Sequence, residues 1–237
     1  MSPLWRPESR VGLCPDRLVT AQAVHPVSDD GIAQISELAN RNRLGVVLSN
    51  HLVRYAVLPW KEALVSERDW DAYARHAFES TYGSVAADWR IRTCPTGARA
   101  PRVACAVDAS LIESLRAIKG VASIQPYLVA AFNLRRRAFS APHAWFVLHE
   151  PGRLMLALIA QGTWQRIRVR QAGPDWRSTL ADLLERELVD ATEDALDVAF
   201  ASTEDELPSR VGRFRIVDLS LPRGTASATR SQLMALH

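Results

Sequence analysis

Residues 145–170 constrain the fold of this chain more than any other stretch. Three runs of apolar and β-branched residues, 145–149, 153–160 and 165–170, are separated only by the short breaks EPG and QGT. Proline presets one turn dihedral and glycine permits positive φ, so both breaks have the composition of tight reversals. The stretch therefore predicts an antiparallel meander of three strands.

A smaller version of this pattern opens the chain. Residues 10–24 consist of RVGL, then CPD, then RLVTAQAV, which predicts a hairpin whose turn is formed by Cys14, Pro15 and Asp16. Two hairpins far apart in sequence, each followed by helical patterns, indicate two related lobes. We expect a first lobe over residues 10–125 with an inserted strand-helix subdomain, a second lobe over 126–222 built on the meander, and a flexible tail over 223–237.

Helix and strand signals fill the space between the two hairpins. The sequence from Ser28 to Asp30 is expected to cap a first helix. Ser66 with Asp69 three residues later resembles a capping box at the start of an amphipathic helix. Residues 44–59 are apolar on both sides of a central Ser-Asn-His, which predicts either two strands or one long bent strand.

Composition limits the class of protein and its partners. The chain has 237 residues, 48% of them apolar, and a formal charge of +3, which is too small to indicate a nucleic-acid partner. No apolar run approaches the roughly 20 residues needed to cross a bilayer, and residues 1–10 have no signal core. We expect a cytoplasmic protein that binds no nucleic acid and does not insert into the membrane.

One constellation of residues raises the possibility of hydrolysis. Ser49 and His51 are two residues apart, so they share a side of an extended segment, and Asp29 or Asp30 could complete a triad. The Gly-x-Ser-x-Gly elbow of many serine hydrolases is absent from the sequence. A structural turn at residues 49–51 is the favoured interpretation, and we expect no catalytic residues.

The cysteines have two possible roles. Cys94 and Cys105 could join His76 or His143 in a zinc site, but no Cys-x-x-Cys or His-x-x-x-His spacing supports one. An odd total of three, which includes Cys14, argues against a disulfide framework. We expect buried thiols and no metal.

The last run of the meander carries an alternating set of arginines. Arg166, Arg168 and Arg170 are separated by apolar residues, so a strand would place three guanidinium groups on one face. This face is either an ordinary solvent-facing surface or a basic strip that meets an acidic partner segment or phosphates.

Several segments resemble the cytoplasmic scaffolds of the PilM and GspL type, which belong to type IV pilus and type II secretion machines. The resemblance covers approximately residues 10–190 and lies in the order and spacing of strands and aromatic residues. The segments that carry it are VVLSNHLVRYAVLPW, ERDWDAYARHAFESTYGSVAADWRIR, RVACAVDASLIESLRA, SIQPYLVAAFN and the meander. It implies an α/β, actin-like (ribonuclease H-like) fold of two lobes with mixed sheets, reduced in size.

The resemblance also makes the two hairpin turns candidate phosphate sites. In nucleotide-binding relatives each turn contains Asp-x-Gly, in which the aspartate manages Mg²⁺ and the glycine lets backbone amides approach phosphate. Here the first turn, Cys14-Pro15-Asp16, lacks glycine, and Pro15 removes a backbone donor. The second, Glu150-Pro151-Gly152, has glutamate and proline in place of aspartate and a free amide. We expect both turns to be degenerate and no cofactor to bind.

These observations predict a non-catalytic adaptor of a pilus or secretion apparatus. It would dock the cytoplasmic tail of an inner-membrane partner and stay peripheral to the inner membrane through that partner, because the sequence shows no membrane-spanning segment of its own. The assembly ATPase is a possible second partner, self-association is possible, and Arg166, Arg168 and Arg170 are candidate partner-binding residues. The alternative is an actin-like ATP-binding protein, ATPase or kinase with atypical phosphate loops.

Overall fold

The computed structural model describes residues 9–27, 31–97, 99–135, 142–188, 196–202 and 208–219. The predicted cap at residues 28–30 and the predicted tail at 223–237 lie outside these ranges, so both remain predictions.

The first hairpin belongs to a sheet that we call the N-terminal sheet. Its described strands are β1 (Ser9–Leu13), β2 (Arg17–Val19), β3 (Val24–Pro26), β4 (Leu44–Leu48) and β8 (Val121–Pro126), and its helices are α1 (Gly31–Arg41) and α4 (Tyr127–Arg135). The strands have the order β3-β2-β1-β4-β8, in which β1, β4 and β8 are parallel and β2 and β3 continue the hairpin as an antiparallel meander. Every residue of β4 is buried, as expected for a parallel strand covered on both faces.

A small antiparallel sheet is inserted after β4. Its described elements are β5 (Arg54–Leu58), α2 (Glu67–Tyr82), a 3₁₀ helix (Gly83–Asp88), β6 (Trp89–Thr93), β7 (Arg102–Asp108) and α3 (Ala109–Ala117). The strands have the order β5-β7-β6, and one face of the sheet packs on α2 through Trp70, Ala74 and Phe78. The capping box at the start of α2 is confirmed, because the Ser66 side chain accepts a hydrogen bond from the Asp69 N–H and the Asp69 carboxylate accepts one from the Ser66 N–H.

The meander forms part of a larger C-terminal sheet. Its described elements are β9 (His143–Glu150), β10 (Arg153–Ala160), β11 (Thr163–Gln171), α5 (Trp176–Leu188), β12 (Asp197–Ser202), β13 (Arg210–Val211) and β14 (Phe214–Asp218). The three strands of the meander are confirmed, and the described sheet has the order β11-β10-β9-β12-β14-β13, with α5 against one face. The strand β12, which lies parallel between β9 and β14, was not predicted from the sequence.

The other face of the C-terminal sheet packs on the rest of the molecule. Phe146, Met155 and Ile159 join one apolar cluster with side chains of the N-terminal and small sheets. Phe132 of α4 reinforces the junction, since its ring lies 5.8 Å from that of Phe146 and 4.6 Å from that of Trp164, measured between centroids. The sheets therefore share a core, while the division into lobes at residue 125 stays a prediction.

Candidate functional site

The structure brings the two predicted phosphate turns together. In the first turn the Cys14 N–H donates to the Arg17 carbonyl at 2.9 Å. In the second, Glu150 pairs with Arg153 across the hairpin, which leaves a two-residue loop in which Gly152 has φ of 76°. The turns face each other across a pocket of about 220 Å³ lined by Cys14, Pro15, Asp16, Arg17, Ser49, His51, Glu150 and Pro151.

Glu150 fills the space between the turns with its own carboxylate. It is 3% exposed and accepts hydrogen bonds from the Ser49 hydroxyl at 2.7 Å and from the Asn50 N–H at 2.9 Å. Burial raises the pKa of this carboxyl, and the hydrogen bonds from Ser49 and Asn50 oppose that rise. The second turn is thus fastened to the loop that follows β4.

Asn50 joins this loop to three further elements. Its side-chain oxygen accepts hydrogen bonds from the Tyr55 hydroxyl at 2.6 Å and from the Leu128 N–H at 3.2 Å, where α4 begins. Its backbone carbonyl accepts from the Arg153 guanidinium at 2.6 Å. No role was predicted for Asn50 from the sequence, although a polar residue between two apolar runs is a signal for such a junction.

Ser49 and His51 are both part of this turn, in which the Leu52 N–H donates to the Ser49 carbonyl at 2.9 Å. Ser49 is fully buried, and its hydroxyl donates to Glu150. The His51 ring lies 2.9 Å from the Pro151 carbonyl through Nε2, and the His51 backbone N–H donates to the Ser49 hydroxyl at 3.2 Å. The candidate third members Asp29 and Asp30 lie outside the described residues, and the absence of catalytic residues stays a prediction.

The facing turns offer poor chemistry for a phosphate. Pro15 and Pro151 have no N–H to donate, and the Ser49 and Asn50 donors are already satisfied by Glu150. Asp16 adds a second carboxylate, 3.7 Å from the Arg17 guanidinium. This arrangement agrees with degenerate turns, and the lack of nucleotide binding stays a prediction.

The arginine strip on β11 is formed by Arg166, Arg168 and Arg170. The three guanidiniums share one face as expected, and all three bind Glu187 of α5. Arg166 donates to the Glu187 carbonyl at 2.7 Å, Arg168 to its carboxylate at 3.2 Å, and Arg170 to the other carboxylate oxygen.

Glu187 is one of the few charged residues that are buried among the described residues. Its side chain is only 8% exposed, because the strip closes over it. Partner binding by Arg166, Arg168 and Arg170 remains a prediction, and such a partner would compete with an internal carboxylate.

A second pocket, of about 270 Å³, lies between β8, the small sheet and α3; we call it the arginine groove. Arg90 and Arg92 alternate along β6 and Arg116 belongs to α3, so three guanidiniums line the same space. Of these three arginines, Arg90 is the one with an ion pair to a described residue, Glu113, at 3.5 Å. The other lining residues are Leu48, Cys105, Val107, Ile112, Val121, Ala122, Ser123, Ile124 and Pro126.

One wall of the arginine groove is the outer strand of a sheet. β8 pairs with β4 on one side, and no strand within the described ranges pairs with its other side. The groove could not be predicted from the sequence, because its walls come from segments that are far apart in the chain. The alternation of Arg90 and Arg92 was its only local signal.

The zinc site considered from the sequence is not formed by the described residues, since among them no group of three or more His, Cys, Asp or Glu side chains could hold a metal ion. Cys14 and Cys105 are buried as expected, whereas Cys94 is partly exposed. In the same described residues, no helix has both the length and the apolar character needed to span a membrane.

Comparison with known proteins gives similarity at the level of structure. No protein-family model matches the chain, and neither does any curated protein. The cytoplasmic domain of EpsL (GspL), an inner-membrane component of the type II secretion system of Vibrio cholerae, superposes with a TM-score of 0.59 at 14% identity, covering 95% of this chain and 91% of that one.

Two other solved structures have similar scores. A PilM-PilN type IV pilus biogenesis complex matches with a TM-score of 0.54 at 13% identity over 83% of this chain and 82% of that one. A Bacteroides thetaiotaomicron protein described as having an actin-like ATPase fold and unknown function matches with a TM-score of 0.55 at 8% identity, covering 82% and 81%. The predicted α/β actin-like fold, and the resemblance of that fold to PilM and GspL, are confirmed.

Proposed function

We propose that this protein is a non-catalytic scaffold of a type IV pilus or type II secretion apparatus, and that its arginine groove docks the cytoplasmic tail of an inner-membrane partner. The observation that carries the proposal is the groove itself, which combines apolar walls, three guanidiniums and an outer strand.

The groove suits an extended peptide. A peptide lying along β8 can pair with its backbone, while side chains on alternate residues enter the apolar space near Val107, Ile112 and Ile124. Arginine forks bind carboxylates in a bidentate manner, so the preferred tail combines acidic and apolar residues.

The structural neighbours support this class of role. One is an inner-membrane component of a secretion system, and another was solved as a complex of PilM with PilN. By analogy, the chain would lie on the cytoplasmic side of the inner membrane and be held there by its partner. The assembly ATPase is a further candidate partner, to which no surface is assigned.

The facing turns support the absence of catalysis. A nucleotide bound between them would have to displace the Glu150 carboxylate from Ser49 and Asn50 and approach Asp16. We therefore expect Mg-ATP to leave the free energy of unfolding unchanged. A ligand at 100 times its dissociation constant adds about 2.7 kcal/mol, so a gain that saturates with nucleotide would favour the ATP-binding alternative.

Co-purification with the inner-membrane protein encoded beside this one tests the docking proposal. The variant combines Arg92→Glu with Arg116→Glu, which reverses two exposed charges in the groove without touching the core. We expect its affinity for the partner's tail to fall at least tenfold, equivalent to about 1.4 kcal/mol.

The matched control is Arg75→Glu, an exposed arginine of α2 that does not line the groove. It carries the same kind of charge reversal and should retain the partner as well as the unsubstituted protein does. Equal retention by the control and the groove variant, with both folded, would show that the groove is not the docking site.

A further inference from the structure

Two cysteines lie on adjacent segments of the small sheet: Cys105 is within β7, and Cys94 follows the last residue of β6. Arg92 pairs with Cys105 and Thr93 with Ala104, and the Cys94 N–H then donates to the Val103 carbonyl at 2.8 Å. Because side chains alternate along a strand, Cys94 and Cys105 project from the same face, one diagonal step apart.

The two cysteines differ in accessibility and in acidity. The neighbouring Cys105 thiol lowers the pKa of Cys94 to about 7, against the opposing effect of burial. Cys94 is partly exposed, whereas Cys105 is 7% exposed. The thiolate is the reactive form of cysteine, so the more accessible member of the pair is also the better nucleophile at neutral pH.

The third cysteine is an internal reference. Cys14 is 4% exposed, and burial raises its pKa to about 11. Cys14 lines the pocket between the facing turns, apart from the small sheet. A reagent that modified every buried thiol would also modify Cys14, so modification of Cys94 without Cys14 identifies a reactivity that is specific to Cys94.

We propose that Cys94 and Cys105 form a thiol-disulfide exchange site for a low-molecular-weight disulfide of the glutathione disulfide class, with Cys94 as the attacking residue and Cys105 as the resolving residue. This property is independent of the docking role of the groove, although Cys105 also lines the groove wall.

The exchange with glutathione disulfide takes place in two steps. The Cys94 thiolate attacks one sulfur of glutathione disulfide, which forms a mixed disulfide and releases one glutathione thiolate that takes up the proton lost by Cys94. Cys105 then gives up its proton and attacks the Cys94 sulfur, which releases the second glutathione as a thiol. Two electrons pass from the protein to glutathione disulfide, and the protein gains one disulfide.

Diagonal neighbours on antiparallel strands lie farther apart than directly opposite residues. A disulfide between Cys94 and Cys105 therefore has to pull the two chain segments closer together than their ordinary spacing. Cys94 immediately follows the last residue of β6, where the chain enters a loop and can adjust. Strained bridges have less negative potentials, so we expect this one to be readily reduced by an excess of free thiol.

The test treats the full chain with glutathione disulfide at neutral pH, followed by intact mass measurement and peptide mapping after alkylation in denaturant. In the wild type we expect the mass loss of two hydrogens, a cross-linked peptide containing Cys94 and Cys105, and an unmodified Cys14. Cys105→Ser should stop at a mixed disulfide on Cys94, whereas Cys94→Ser should remain unmodified at all sites.

Cys14→Ser is the matched control and should still form the bridge. A wild-type measurement keeps the test independent of how the variants fold: brief alkylation of the native protein should label Cys94 before Cys14 and Cys105. The proposal is overturned if the wild type keeps all its thiols, stops at a mixed disulfide, or labels Cys14 first.

Discussion

Glu150 is the buried carboxylate that lies between the two hairpin turns. Its carboxylate is 3% exposed and accepts hydrogen bonds from Ser49 and Asn50. Without it, the same hydroxyl and amide would be free to bind an external anion. The side chain therefore both fastens the second turn and occupies donors that a phosphate would need.

The titration of Glu150 gives a stability prediction with a definite sign. Burial raises the pKa of Glu150 above the ordinary value of 4.5. Its favourable contribution to the free energy of unfolding is therefore fully present below the ordinary pKa and is lost as the pH rises through the folded-state pKa. Glu150→Gln removes this titration. Urea unfolding from pH 4.5 to 7 should show the variant gaining stability relative to the wild type as pH rises.

The control for this prediction is Glu150→Ala, which leaves the Ser49 hydroxyl and the Asn50 N–H without their acceptor. It should unfold more easily than Glu150→Gln by about 1–3 kcal/mol, the cost of a buried unsatisfied group. A wild-type stability that rises with pH relative to Glu150→Gln would contradict the account of this carboxyl.

Individual residues were predicted well where the signal was local. The Ser66 and Asp69 capping box follows from a spacing of three residues, and the structure contains both of its hydrogen bonds. The positions of Arg166, Arg168 and Arg170 on one strand face also follow from alternation. Their carboxylate partner lies on another element, so sequence periodicity alone could not identify it.

At the scale of elements, β11 and α5 are joined by Glu187. Its carboxylate and backbone carbonyl accept hydrogen bonds from three arginines of β11. Two of these arginine side chains, Arg168 and Arg170, are 46% and 42% exposed. Removing a buried partner costs about 3–5 kcal/mol in fully buried pairs, and solvent screening reduces this for exposed arginines. Glu187→Ala should therefore lower the free energy of unfolding by about 1–3 kcal/mol.

Glu185 of the same helix provides the matched control. It binds Arg213 through two hydrogen bonds of 2.7 and 2.8 Å, but both side chains are exposed. Exposed pairs contribute roughly 0–1 kcal/mol, so Glu185→Ala should be nearly neutral in urea unfolding. Equal losses for the two variants would show that burial of Glu187 contributes nothing.

Most elements could be predicted from periodicity and turn chemistry, and the main exception has a physical reason. The strand β12 is only DVAFAS, without the flanking turn signals that identify the meander. Its register is specified by β9 and β14 on either side, which are contacts between distant parts of the chain. Such a strand is defined by its neighbours more than by its own sequence.

At the scale of the molecule, the two hairpins converge and the sheets share one core. The actin-like fold could be predicted because the order of its strands and helices follows from consecutive segments of the sequence. The arginine groove could not, because β6, α3 and β8 meet only after folding. The proposed function therefore rests on a surface that no single sequence segment reveals.

Hydrogen exchange with and without the partner's cytoplasmic tail tests the central claim most directly. The account predicts slower exchange of amides in β8 (Val121–Pro126) and in the facing strand β6, with no change at the turns of residues 14–16 and 150–152. Protection confined to the two turns or to the C-terminal sheet, with β8 unchanged, would contradict docking in the arginine groove.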